Sequence, residues 1–351
     1  MSVSTLLTRA AHRSAAAAAL AAACALTAPA AASAQPPRPA AVTCTQVSVP
    51  LADPAGDGAV VRGELCRPPQ ANDTVQVLLS GLTYDSRYWT QPPAPGQPSY
   101  TADAHARGFT TLTLDRLGTG RSSRPPADQV TFTTDVDSVH QTVTRLRTGL
   151  AGHTFTHIVL VGHSYGAGEA LAESSLHDDV TAVVLSGFAH AAGPKGDAIL
   201  PAMIPAAQDP VLAPTDPPDG YLTTRQGSRA DLFYAPADAA PDTITRDELT
   251  KSTMTTGQRD SLSDPYAPDL AARQKAPVLI ALGSADALVC GGPYLACSSP
   301  EEIRTFERYL FTGDNRLDAY VLPGAGHSIN LHRNASAWHT RSADWIEDVT
   351  G

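Results

Sequence analysis

Apolar and polar positions alternate in two early stretches, Thr43–Val49 and Val60–Cys66, with Gly56-Asp57-Gly58 between them. Period-two alternation around a glycine-rich turn predicts an antiparallel hairpin with one face buried. The pattern then changes. Val75–Leu79, Phe109–Leu114, Ile158–Val161, Val180–Leu185 and Val278–Leu282 are short apolar runs with little alternation, as expected of strands covered on both faces. Helix-compatible stretches separate them. Asp135–Leu150 repeats Val136, Val139, Val143, Leu146 and Leu150 at helical spacing, and Thr101–Arg107 and Ala167–Leu176 are further helix candidates. A helix over Pro300–Leu310, a strand over Ala319–Leu322 and a helix over Ala335–Asp348 close the chain. Strand and helix in alternation after an opening hairpin predict an α/β fold: a mostly parallel central sheet with helices on both faces.

Residues 187–276 interrupt this rhythm with many prolines, few long apolar runs and only weak helical stretches such as Ile244–Met254. They read as an insertion after the sixth strand, lying over the strand ends as a cap or lid. The predicted organisation is a leader (1–34), a core (35–186 and 277–351) and a cap (187–276).

Composition adds limits. The chain has 351 residues, 42% hydrophobic and 17% charged, enough for a large packed core. Arg9 and Arg13 precede the alanine- and leucine-rich run Ala15–Leu26, and Ala32-Ser33-Ala34 offers a small-residue cleavage site. This pattern predicts a secretory signal peptide cut after Ala34, and hence a secreted protein. A membrane anchor is the alternative, but the run is too short and alanine-rich to span comfortably. The formal charge of −10 becomes −12 once Arg9 and Arg13 leave. An acidic chain without a lysine/arginine cluster disfavours nucleic acid or an anionic membrane as partner. Cys24 departs with the leader, leaving Cys44, Cys66, Cys290 and Cys297. In an oxidising compartment an even number predicts disulfides. Cys44–Cys66 would join two strands and Cys290–Cys297 would close a short loop. The spacings do not match the usual zinc ligand pairs.

Candidate chemistry centres on Gly162-His163-Ser164-Tyr165-Gly166, between an apolar strand and a helix-compatible run. G-x-S-x-G alone also fits an ordinary glycine-rich turn. Its strand–turn–helix setting instead predicts a nucleophile elbow, in which a serine occupies a strained apex and the flanking glycines avoid collision. A serine hydroxyl needs a base, and the base an orienting acid. Asp286 and His327 each follow a predicted strand, where ligands bind in open α/β sheets, and their order after Ser164 matches this scaffold. His163, His190, His332 and His339 compete for the base. His163 is expected to pack away from the hydroxyl, and His332 and His339 to lie on helix surfaces. Asp314 and Asp318 compete for the acid. On this architecture the oxyanion donors would be the backbone N–H groups of Tyr165 and Leu82, the latter in Ser80-Gly81-Leu82.

Together with the turn Asp115-Arg116-Leu117-Gly118-Thr119-Gly120-Arg121-Ser122, these blocks resemble the α/β-hydrolase superfamily from about residue 43 onward. The run Gly81–Trp89 is similar to a version met in secreted or biosynthetic hydrolases of bacteria and fungi. Ser80 departs from the histidine that many members carry before this glycine, a change the backbone donor survives. No H-G-G-P-G run is present, and serine rather than aspartate occupies the elbow, which argues against proline iminopeptidases, epoxide hydrolases and haloalkane dehalogenases. The resemblance implies a serine hydrolase, carboxylesterase- or lipase-like, cleaving an ester, thioester, lactone or amide through an acyl-enzyme, without cofactor or metal. The substrate would be a small molecule with a hydrophobic part, met by Phe188, Met203, Ile204, Leu222, Phe233 and Tyr234 of the cap. A lyase or other non-hydrolytic enzyme on the same scaffold, or a catalytically silent binding protein, are the alternatives.

Overall fold

Two apolar faces on one sheet organise the molecule. In the computed structural model, which describes residues 41–52 and 58–351, eight strands form this sheet. They are β1 (Thr43–Pro50), β2 (Val60–Arg67), β3 (Thr74–Leu79), β4 (Thr110–Asp115), β5 (His157–His163), β6 (Ala182–Ser186), β10 (Val278–Gly283) and β11 (Leu317–Leu322). A second sheet holds β7 (Met203–Pro205), β8 (Tyr221–Thr224) and β9 (Met254–Thr255). The large sheet has the order β1-β2-β4-β3-β5-β6-β10-β11, antiparallel at β1/β2 and β2/β4 and parallel elsewhere. This is the mostly parallel sheet that the apolar runs predict.

Side-chain alternation explains how each strand serves both faces. Val75, Val77 and Leu79 of β3 and Ile158 and Leu160 of β5 join one core cluster, whereas Leu78, Val159 and Val161 join the other. The first core is covered by α3 (Phe132–Thr148), α4 (Tyr165–His177) and α8 (Pro268–Arg273); Val136, Val139, Val143 and Leu146 are the buried stripe of α3. That helix starts one turn earlier than Asp135 because Thr131 and Thr134 form a reciprocal capping box. The second core lies under α1 (Arg87–Thr90), α2 (Tyr100–Ala106) and α10 (Ala335–Thr350), with Trp89, Trp338 and Trp345 fully buried. The remaining helices are α5 (Ser228–Phe233), α6 (Pro241–Leu249), α7 (Thr256–Asp260) and α9 (Pro300–Glu307).

The hairpin pairs Cys44 directly with Cys66, whose sulfurs are 2.07 Å apart; those of Cys290 and Cys297 are 2.04 Å apart. Both are the expected pairings. The predicted signal segment and the turn residues Gly56 and Asp57 lie outside the described residues. Among the described residues no helix is long and apolar enough to cross a membrane.

Between β6 and β10 run the small sheet and helices α5 to α8. The predicted helix over Ile244–Met254 instead spans Pro241–Leu249, because Lys251 turns inward to a buried ion pair with Asp209 at 2.7 Å. The three short strands of the small sheet carry no legible pattern in sequence. This segment is stitched to the core: Ser252 N–H donates to Thr83 O, Gly257 N–H to Ala127 O, and Ser328 N–H to Phe233 O.

Candidate active site

The sheet order places the site. β3 lies between β4 and β5, so the connections leaving β3 and β5 diverge and open a crevice at their carboxyl ends. Ser164 stands there, between β5 and α4, with φ 55° and ψ −121°. Such a conformation for a non-glycine residue costs on the order of 1–3 kcal/mol and needs support from its surroundings. Ser164 N–H donates to Ser186 O on β6 at 2.8 Å, which ties the apex to the sheet. The glycines make the turn possible by close approach. A methyl on Gly162 would lie 2.3 Å from Gly166 O and 2.4 Å from Ala167 Cα, and one on Gly166 would lie 2.5 Å from Leu79 O. Gly162→Ala should therefore destabilise the fold by about 3 kcal/mol or more, since only backbone could yield. Urea unfolding checks this, and a midpoint equal to wild type would contradict the elbow packing.

His327 and Asp286 meet. Asp286 follows β10 and is fully buried, and His327 follows β11; the imidazole Nδ1–H donates to Asp286 Oδ2 at 2.9 Å. Asp286 Oδ1 accepts from Leu288 N–H at 3.0 Å, so the carboxylate is held from both sides. A carboxylate on Nδ1 fixes the tautomer that leaves Nε2 able to accept a proton. The competing acids do not reach His327. Asp314 is exposed, and Asp318 accepts from Trp345 Nε1 and Arg316 Nε.

The competing histidines have other partners. His163 is buried with its ring stacked on Tyr88, and its Nε2–H donates to His327 O at 3.0 Å. Burial holds its pKa well below the usual imidazole value. It packs as expected yet also borders the cavity. His190 binds Glu307 at 2.7 Å. The expectation that His332 and His339 are surface helix residues is wrong: both are buried. His339 Nδ1–H donates to Asp103 of α2, which draws this face of α10 inward. His332 lies outside the helix. Its Nε2 accepts from Gly326 N–H at 2.9 Å and Ala235 N–H at 3.1 Å, and its Nδ1–H donates to Ser328 O. It thereby braces the loop that carries His327, a role that single-sequence patterning does not signal.

Leu82 lies in the loop after β3, and Tyr165 opens α4, where the first N–H groups of a helix lack intrahelical partners. Closeness of the loop to the elbow is direct: a methyl on Gly81 would be 3.0 Å from Ser164 Cβ. The loop is held from below by buried Arg116, whose guanidinium donates to Ser80 O and Gly81 O. Its Nε stands 3.4 Å from Glu169, a charge contact rather than a directed hydrogen bond. Ser80 Oγ–H donates to Asp85 O, so this serine closes the same loop. Burial raises the neighbouring acids; Asp135, which accepts from Gln258 and Tyr165 side chains, is pushed up to about 6.

From above, the loop is gripped by a network absent from the sequence expectations. Thr83 has φ 61°, and Arg229 of α5 donates to its Oγ1 at 2.8 Å and to its carbonyl at 3.3 Å. Arg229 also pairs with Asp247 of α6 in a two-pronged contact, and Tyr84 Oη bridges Asp247 to Ser328 beside His327.

Ser164, His327, Leu82 and Tyr165 line one cavity of about 660 Å³. Of the apolar cap candidates, Phe188 and Phe233 border it, while Met203, Ile204, Leu222 and Tyr234 do not. The first three belong to the small sheet, and Tyr234 packs on His332. Ile199, Leu200, Tyr266 and Leu288 supply apolar wall instead.

Comparison with known proteins agrees with this architecture. Residues 76–337 match the model of the alpha/beta hydrolase family. Among solved structures, the chain is similar to a monoacylglycerol lipase of Paleococcus ferrophilus (19% identity, TM-score 0.58, covering 82% of this chain and 99% of that one). It is also similar to a thermophilic esterase of Thermogutta terrifontis (18%, TM-score 0.58, 88% and 99%). An esterase of Exiguobacterium antarcticum gives 18% identity and a TM-score of 0.60 over 86% of this chain and 99% of that one. No curated protein sequence matches the chain significantly. With its family model spanning most of the chain and its sheet ordered in this way, the protein belongs to the alpha/beta hydrolase family.

Proposed function

We propose that the protein is a secreted serine hydrolase that cleaves an ester with a hydrophobic acyl or alcohol part. The observation that carries this reading is the meeting of a strained Ser164 and an Asp286-bound His327 at one cavity. Ser164 Oγ attacks the carbonyl carbon while His327 Nε2 takes its proton. The developing oxyanion is received by the Leu82 and Tyr165 N–H groups, which need no reorganisation because the loop and helix are already fixed. His327 then returns the proton to the leaving oxygen, and water repeats the sequence on the acyl-enzyme. A cavity of about 660 Å³ is of the size that encloses a small organic ligand. An ester is favoured over an amide, thioester or lactone by the chain's similarity to a monoacylglycerol lipase and two esterases. Secretion is supported by the leader pattern of residues 1–34 and by two cystine pairs.

The test combines a fluorophosphonate probe with p-nitrophenyl esters of increasing acyl length. Labelling at Ser164, located by peptide mass, together with turnover is the expected result. Labelling without turnover of any ester would redirect the reading to non-hydrolytic chemistry. No labelling of the folded protein would remove Ser164 as nucleophile.

A further inference from the structure

Away from the cavity, His140 of α3 points both carboxylates of an acidic pair at one nitrogen. Its Nδ1 is 3.3 Å from Glu173 Oε1 of α4 and 3.3 Å from Asp179 Oδ2, just beyond that helix. One ligand atom from each of His140, Glu173 and Asp179 lies within 4.8 Å of the other two. One imidazole proton serves two carboxylates poorly, because charge-assisted N–H···O bonds close to about 2.7–2.9 Å. Equal separations of 3.3 Å match a different arrangement. Zinc binds nitrogen and carboxylate oxygen at about 2.0–2.1 Å in a tetrahedron, whose edges are then about 3.3–3.4 Å.

A second observation points the same way. Glu173 is fully buried, and its Oε2 lacks any hydrogen-bond partner, as does Asp179 Oδ1. Two adjacent carboxylates, one of them fully buried, repel each other unless a proton or a cation intervenes. Asp179 is also held in place: Arg147 of α3 donates through Nε to its backbone carbonyl at 3.0 Å. The ring of His177 stacks on His140 with centroids 3.5 Å apart and limits its rotation. His140 and Asp179 keep partial solvent exposure, which gives an ion a path in and leaves a coordination position for water.

We propose that His140, Glu173 and Asp179 form a binding site for a borderline divalent cation of the zinc type. Calcium is a poorer fit, because it takes six to eight oxygen ligands at about 2.3–2.6 Å. The ion would pin α3 to α4 about 13 Å along the helix from Ser164, so its role is to brace the elbow helix rather than to touch substrate. The competing state has no ion. Burial and the adjacent Asp179 carboxylate then favour the neutral acid, pushing Glu173 up to about 9.

The full chain, stripped with chelator, should bind one zinc ion in calorimetric titration. Zinc at about 100 times Kd should raise Tm by about 5 °C, reversed by chelator. Cobalt in place of zinc should give the intense visible bands of a tetrahedral complex. Because the chain has eleven histidines, location requires variants. His140→Ala and Glu173→Gln should each lose at least the roughly 10–100-fold affinity that removal of even an outer partner of a metal costs. Each should also lose the Tm response; the first removes a half-exposed ring and the second keeps side-chain shape, so folding is preserved. Absence of stoichiometric binding by wild type would overturn the proposal. So would binding and Tm shifts that persist in both variants.

Discussion

Ser164→Ala should lower kcat for ester hydrolysis by on the order of 10⁶-fold, with KM little changed. Removal of the nucleophile from a serine–histidine–aspartate constellation has an effect of this size because the members act as a unit. The substitution removes one oxygen at a position whose backbone is already set by Gly162, Gly166 and the bond from Ser164 N–H to Ser186 O. Binding contacts in the cavity stay as they were. Asp286→Asn should cost about 10⁴-fold, because an amide at Oδ2 favours the wrong imidazole tautomer while keeping the geometry. Steady-state kinetics on a p-nitrophenyl ester chosen from the panel, with matched circular dichroism spectra, gives both numbers. Turnover in Ser164→Ala within tenfold of wild type would remove the acyl-enzyme mechanism.

Arg229→Met should damage stability and rate together, for two separable reasons. Arg229 and Asp247 are both buried, and loss of the guanidinium leaves the Asp247 carboxylate without its charge partner. Breaking a buried pair in this way costs about 3–5 kcal/mol. The guanidinium also packs on the Tyr84 ring at 4.2 Å and holds Thr83, the residue after Leu82, in its left-handed conformation. Release of Thr83 would turn the Leu82 N–H away from the oxyanion, and loss of one such donor lowers kcat by roughly 10²–10³-fold. The double variant Arg229→Met/Asp247→Leu separates the effects. It should regain most of the stability, because apolar replacement of a buried pair is often neutral or better, yet it should not regain kcat. Recovery of both by the double variant would reduce Arg229 to a structural role. A single variant within 1 kcal/mol of wild type would refute the buried network itself.

Much of the core was legible because its signals are local. Apolar runs predict β3, β4, β5 and β10 closely, since strands buried on both faces must be apolar throughout. Ser164 is legible for a steric reason: only glycine fits beside Gly166 O and Leu79 O, so the elbow leaves a mark on the chain. Asp286 and His327 follow from strand ends and order. Position after a strand favours Asp286 but leaves Asp314 and Asp318 as alternatives; in the structure it is Asp286 that is buried and in contact with His327 at 2.9 Å.

The segment between β6 and β10 shows the opposite case. Its small sheet has strands of two to four residues, too short for a period to emerge. Nothing in the sequence marks Arg229 and Asp247 as partners, because a buried ion pair is defined by what covers it. His332 is likewise read as exposed when its neighbours are counted along the chain, but in space Gly326 and Ala235 both donate to it. The cavity wall follows the same rule: Phe188 and Phe233 face it, whereas Met203 and Leu222 are spent on pairing and packing of the small sheet. By itself, the sequence determined the sheet, the strained serine and the candidate acid and base, since each imposes constraints on its immediate neighbours. Tertiary structure alone decided that Asp286 contacts His327, what grips the loop after β3 and which apolar residues line the cavity, because those depend on contacts between segments far apart in the chain.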